Sequence, residues 1–233
     1  MSAPDGVEAL IFDVFGTVVD WRSGVAAEVS RLLPGADALG FAESWRAKYQ
    51  PAMEAVRSGR RGYVALDRLH RETLDATLAE IGADPDETLR VELNRAWEKL
   101  PPWPDAAPGL ARLKRRVIVA PCSNGSIALM TRLSRFGRLS WDCVLGADVA
   151  RAYKPDPRAY RGAAAALGLS PERVMMVAAH NDDLAAARAC GLRTAFIPRP
   201  LERGAGGGAE IAPAQGWEVV AADFEDLAER LGC

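Results

Sequence analysis

Four groups of residues in this 233-residue chain are of the types that do chemistry, and each follows a short apolar run. Asp13 and Thr17 come just after Val7 to Phe12. Ser123 and Asn124 come after Val117 to Ala120, with Pro121 as the stop. Lys154 begins Lys-Pro-Asp-Pro, and Asp183 follows Arg173 to Ala179. Singly, each has an ordinary explanation: a strand-end aspartate often caps a turn, and a lone Lys-Pro is usually a solvated loop. Together they put a carboxylate, a hydroxyl, an amide, an ammonium and a second carboxylate on one rim, which reads as an active site. A cation within about 4–6 Å of Asp13 would keep that carboxylate ionised.

A rim of this kind needs elements that end side by side. Val7 to Phe12, Val117 to Ala120, Arg173 to Ala179 and Thr194 to Ile197 read as buried strands, with Cys143 to Leu145 as a weaker one and Glu218 to Val220 as an edge strand. Helical patterns lie between them. Ser126 to Phe136 carries spaced apolar residues, Pro157 to Leu167 starts on proline and stops at Gly168, and Asp182 to Cys190 stops at Gly191. Strands alternating with helices of this length predict right-handed parallel βαβ units, an α/β fold with a Rossmann-like sheet. Asp20 to about Pro104 departs from that rhythm. It is helical in period, clearest at Ser44 to Val56 and Tyr63 to Ile81, and Leu100-Pro-Pro-Trp-Pro-Asp closes it. The expected organisation is a core of residues 1–19 and 105–233 with a helical cap, residues 20–104, over the carboxyl end of the sheet, where open α/β sheets bind ligands. The run from Arg203 to Gly208 reads as a flexible surface loop.

Composition narrows the class. A net charge of −2 and a pI of 5.8 argue against a nucleic-acid partner. No stretch reaches the roughly 18–20 apolar residues that cross a bilayer, and Met1 to Gly6 has no leader pattern, so a cytoplasmic protein without a membrane partner is expected. Cys122, Cys143, Cys190 and Cys233 are scattered without a CxxC pair and read as free thiols.

Phe12-Asp13-Val14-Phe15-Gly16-Thr17, Ser123-Asn124-Gly125, Lys154-Pro155-Asp156-Pro157 and Asp183 resemble, in order and over nearly the whole chain, the four motifs of the haloacid dehalogenase superfamily. The resemblance implies a Rossmann-like core and an aspartate nucleophile that forms a covalent intermediate. Most of that superfamily are phosphatases, which carry a second aspartate two residues after the nucleophile and a Gly-Asp in the last motif. Here those positions are Phe15, which cannot transfer a proton, and Ala178-Ala179. A halide leaves as a stable anion and needs no proton, and a monoanionic carboxylate can be held by N–H donors and positive charge. The first motif, Lys154 to Tyr160 and Ser44-Trp45-Arg46 are similar to the L-2-haloacid dehalogenase family. The expected reaction is hydrolysis of short L-2-haloalkanoic acids such as haloacetate and 2-halopropionate to 2-hydroxy acids, with no metal and no other cofactor. The alternative is a Mg²⁺-dependent phosphatase of a small phosphoester. A homodimer is implied by the resemblance.

The roles implied are as follows. Asp13 attacks C2. Arg46 and Asn124 hold the departing halide. Ser123 and backbone N–H groups after Asp13 hold the carboxylate, with Val14, Phe15 and Trp45 lining the pocket. Lys154 keeps Asp13 ionised, Asp183 fixes Lys154 and handles the water, and Thr17 and Tyr160 support them. His180 departs from the family, which has asparagine there. It reads either as a hydrogen-bonding substitute or as a general base, since its unperturbed pKa is near 6.5. His70 and Cys122 read as packing residues.

Overall fold

The computed structural model describes residues 6–233, so the leader reading at Met1 to Asp5 lies outside the described residues. Among the described residues five strands form one parallel sheet. They are β1 (Ala9–Phe12), β2 (Ile118–Pro121), β3 (Val174–Ala178), β4 (Arg193–Phe196) and β5 (Val219–Val220), in the order β2-β1-β3-β4-β5. The α/β expectation is met. The expected strand at Cys143 to Leu145 is not. There the Asp142 carboxylate accepts the Val119 N–H at 2.9 Å, and the Asp142 N–H donates to the Val119 carbonyl, so one residue satisfies the edge of β2 without a ladder.

The strands are apolar throughout because both faces of the sheet are covered. Leu10, Phe12, Met175 and Val177 face α6 (Ala106–Leu113), α7 (Ile127–Gly137) and α10 (Phe224–Arg230). Ala9, Ile11, Met176 and Ala178 face α8 (Pro157–Ala166) and α9 (Asn181–Ala189). Side-chain caps start several helices. Ser126 accepts from the Leu129 N–H at 2.9 Å, and Asp156 accepts from Arg158 with Pro157 in the first turn.

Between β1 and β2 lie α1 (Trp21–Leu32), α2 (Ala38–Ala47), α3 (Tyr49–Arg57), α4 (Leu66–Glu80) and α5 (Glu87–Asn94). The stretch expected as one helix from Ser44 to Val56 is two, broken at Lys48, because Pro51 has no N–H for an i→i−4 bond and crowds the preceding turn. Trp45, Trp97, Phe41 and Leu69 pack this layer internally. Arg57 Nη1 donates to the Lys154 carbonyl at 3.0 Å, and Tyr63 donates to Asp148 at 2.7 Å, tying the helices to the sheet half. No helix among the described residues is long and apolar enough to cross a membrane.

Candidate active site

Asp13 is the residue after β1, and its N–H donates to the Val177 carbonyl at 3.0 Å, which continues the pairing with β3 past the last strand residue. The chain then turns sharply at Gly16, whose φ of +96° is open to glycine at little cost. The loop places Thr17 back against the carboxylate. Thr17 Oγ1 donates to Asp13 Oδ2 at 2.7 Å and accepts the Ala179 N–H at 2.9 Å, so its proton can point only at Asp13.

Lys154 enters from the segment before α8. Its backbone N–H donates to Asn124 Oδ1 at 2.7 Å, which turns the Asn124 amide N–H group away from Lys154. Its ammonium donates to Asp13 Oδ1 at 2.8 Å and to Asp183 Oδ2 at 2.5 Å. Asp183, in the first turn of α9, also accepts from the Tyr160 hydroxyl at 2.6 Å. Asp13, Lys154 and Asp183 are all buried or nearly so, and a buried ion pair of this kind is kept only when each charge has a partner.

These contacts set the charges. Burial pushes Asp13 up, but the Lys154 ammonium and His180 outweigh it and hold the carboxyl well below the usual range. Burial pushes Lys154 down, and Asp13 and Asp183 outweigh that and raise it. Asp183 goes the other way: burial raises it, Lys154 opposes, and the Asp13 charge adds to the rise. The site therefore holds one strongly ionised carboxylate and one that binds a proton more readily. Such a pair of carboxylates, with environments that push their pKa values apart, can divide two chemical tasks between them.

These side chains open on a cavity of about 1140 Å³ between the carboxyl end of the sheet and the helices α1 and α2. Phe15, Arg46, Asn124 and Tyr160 line it, together with Asp13, Lys154, His180 and Asp183. The Arg46 guanidinium stacks 4.0 Å over the Tyr49 ring, and its Nη1 is buried with no protein acceptor. The N–H groups of Val14 and Phe15 have no acceptor among the described residues either.

Three expected pocket residues lie elsewhere. Trp45 is 1% exposed and sits inside the helical layer, where its Nε1 donates to the His70 carbonyl at 3.0 Å, so it backs the cavity instead of lining it. The Val14 side chain is 1% exposed in the core, and its carbonyl accepts from Val18 and Val19. Ser123 Oγ accepts the Gly125 N–H at 3.0 Å and shapes the turn after β2, away from the cavity wall. His70 and Cys122 are buried as packing residues, with His70 stacked on Trp97 at a centroid distance of 4.3 Å.

Glu202 is the residue that sequence reasoning missed. It lies in the turn after β4, 3% exposed, and accepts from Trp21 Nε1 at 3.1 Å. His180 bridges it to Asp13: Nδ1 is 3.1 Å from Asp13 Oδ2, and Nε2 is 3.0 Å from Glu202 Oε2. Arg199 fixes that turn, donating to the Thr17 carbonyl at 2.8 Å and to both oxygens of Asp105 at 2.7 and 2.8 Å.

A model of the haloacid dehalogenase-like hydrolases matches residues 7–191, and these contain Asp13, Lys154 and Asp183. The chain belongs to that family. Within it the similarity is to the L-2-haloacid dehalogenases. An (S)-2-haloacid dehalogenase of Xanthobacter autotrophicus is 32% identical over 83% of this chain and 76% of its own. A crystal structure of a defluorinating L-2-haloacid dehalogenase is 46% identical and superposes with a TM-score of 0.95 over 100% of this chain and 99% of the other. The L-2-haloacid dehalogenase of Xanthobacter autotrophicus with chloropropionic acid covalently bound is 28% identical, with a TM-score of 0.80 over 96% and 97% of the two chains. This member of the family carries its Asp13 on a fold shared end to end with those enzymes.

Proposed function

We propose that this protein is a hydrolytic dehalogenase of short L-2-haloalkanoic acids, working through an ester on Asp13. The observation that carries the reading is Phe15. An aromatic ring, 3% exposed and packed edge-on against Trp97 at 5.7 Å, stands beside the nucleophile where a phosphatase of this superfamily has an acid. An alkoxide leaving group needs a proton donor there, and a halide does not.

In this reading Asp13 Oδ1 attacks C2 in line and the halide departs toward Arg46 Nη1 and the Asn124 amide. The unpaired N–H groups of Val14 and Phe15 take the substrate carboxylate. Lys154 keeps Asp13 an anion, and Asp183, with its raised pKa, takes a proton from the water that hydrolyses the ester. Tyr160 and Thr17 hold Asp183 and Asp13 in place. The covalent chloropropionic acid adduct of the Xanthobacter enzyme supports the ester step, and the defluorinating relative supports fluoroacetate as a substrate. The helices of residues 20–104 act as a cap over a core of 1–19 and 105–233. Its resemblance to the L-2-haloacid dehalogenases favours a cytoplasmic homodimer, and light scattering checks the dimer.

The test is halide release from L-2-chloropropionate and fluoroacetate with EDTA present. Wild type is expected to release halide, and Asp13→Asn to lose it by at least about 10⁴-fold, as is usual for loss of a covalent nucleophile. Absence of halide from both substrates, with phosphoester turnover on adding Mg²⁺, overturns the reading in favour of a phosphatase.

A further inference from the structure

We propose that His180 is a cationic hydrogen-bond donor to Asp13 Oδ2 that stabilises the oxyanion formed when the Asp13 ester is hydrolysed, and that Glu202 is the positioning residue that holds it there. The inference rests on the dehalogenase reading above.

Both ring nitrogens of His180 face carboxylates, Nδ1 at 3.1 Å from Asp13 and Nε2 at 3.0 Å from Glu202. An ionised carboxylate only accepts hydrogen bonds, so a ring bonded to one at each end donates at both nitrogens and is an imidazolium. The Glu202 side chain is 4% exposed and the His180 side chain 24%, so the carboxylate end of this contact is dry while the ring borders the cavity. The charges around the ring agree. Burial lowers the His180 pKa, and the hydrogen bonds it donates to Asp13 and Glu202, with their negative charges, outweigh it and raise it to about 10. Glu202 in turn is held below the usual range, since burial raises it and His180 more than offsets that. The other charged groups facing this space are Asp182 and Asp183 on α9, Lys154 before α8, Arg22, Glu43 and Arg46 from α1 and α2, and Arg203 and Glu210 from the segment after β4. A ring with both nitrogens donating has no lone pair to take a proton from water. His180 is therefore no base in this arrangement, and Asp183 is.

The two oxygens of Asp13 are not equivalent. Oδ2 accepts from both Thr17 and His180, while Oδ1 accepts from Lys154 alone and keeps a lone pair free. Oδ1 forms the bond to C2 as the carbon–halogen bond breaks, and the halide leaves with the electron pair. Oδ2 becomes the carbonyl oxygen of the ester. Water then bonds to Cγ and gives one proton to Asp183, and the negative charge that develops lands on Oδ2, where two donors already point. This is the geometry that stabilises tetrahedral intermediates in acyl transfer. The Cγ–Oδ1 bond breaks next. Oδ1 leaves with the product and takes the proton from Asp183, and Asp13, now carrying the oxygen of water, loses its remaining proton to solvent.

The test has two parts. Nitrogen-15 NMR of the whole enzyme reads the His180 ring directly, with His180→Asn identifying its signals. Both nitrogens are expected to be protonated at pH 8, and the transition to fall toward ordinary imidazole values in Glu202→Gln. Rapid-quench assays then separate the two chemical steps. His180→Ala and Glu202→Gln are expected to give a first-turnover burst of halide and a trapped ester, with steady turnover down about 10²–10³-fold, the usual cost of one oxyanion donor. His180→Asn, which keeps a neutral N–H donor, is expected to recover part of the loss. A neutral ring at pH 8 in an enzyme that releases halide overturns the proposal alone, as does ester hydrolysis that speeds up when His180 loses its proton. Wild type that releases no halide fails the dehalogenase reading, and this proposal with it.

Discussion

At the scale of single residues, the site is a row of alternating charges: Asp183, Lys154, Asp13, His180 and Glu202, each within hydrogen-bond distance of the next. His180 gives this row a pH signature in stability. Its folded pKa of about 10 lies above the ordinary value of 6.5, so the stabilisation is fully present below about pH 6.5 and is lost as the pH rises toward 10. Asp13 is shifted the opposite way and contributes a constant amount in that window. Wild type is therefore expected to lose more stability between pH 7 and pH 10 than His180→Asn does, as read by urea midpoints at each pH. Most of this row was legible in the sequence because strand ends in a parallel sheet converge. Asp13, Lys154 and Asp183 each follow a recognisable apolar run or a distinctive dipeptide. Glu202 obeys the same rule, at the end of the strand closed by Pro198 and Pro200. It escaped notice because the glycines beyond it draw attention to looseness, and nothing local ties a glutamate there to a histidine in another loop.

Among the elements, the turn after β1 and the turn after β4 are built against each other, and Gly16 is where they touch. A Cβ on Gly16 would lie 2.3 Å from Glu202 Oε1, and the φ of +96° is itself a strained value for any other residue. Gly16→Ala is expected to cost about 1–3 kcal/mol of stability. It is also expected to reproduce the Glu202→Gln behaviour, a halide burst followed by slow ester turnover; an alanine variant with unchanged steady turnover would show that Glu202 has room to move. The strands β1, β3 and β4 could be read from their apolar runs because both faces of the sheet are covered. Cys143 to Leu145 carries a similar run, but the Asp142 side chain supplies the hydrogen bond that a strand's backbone would have made. Helix breaks behaved likewise. The stretch Tyr63 to Ile81 stops where α4 does within a residue, while Ser44 to Val56 runs through Pro51, at the start of α3. Trp45 illustrates a further limit, because a helical period shows which residues turn inward but not whether inward means the cavity or the layer's own core.

Across the whole molecule, Asp13 lies beneath a helical layer that reaches the sheet half through side chains such as Trp21, Arg57 and Tyr63. Arg57 reaches across to the Lys154 carbonyl and sits outside the row of charges. Arg57→Ala is expected to lower kcat/KM by about tenfold or more, since a hydrogen bond from a charged group contributes about 1.5–3 kcal/mol, with the ester chemistry in a rapid-quench burst nearly unchanged. A burst that disappears would instead place Arg57 in the chemistry. The strand order β2-β1-β3-β4-β5 has another consequence, for how the molecule comes into being. Ala9 pairs with Ile118 on one side and Val174 on the other, so β1 is a central strand whose first partner lies about half the chain further on and whose second lies later still. Contacts this distant in sequence close slowly. Asp13 meets Lys154, His180 and Glu202 only where strands far apart in sequence end side by side, so the row of charges is assembled in step with the completion of the sheet.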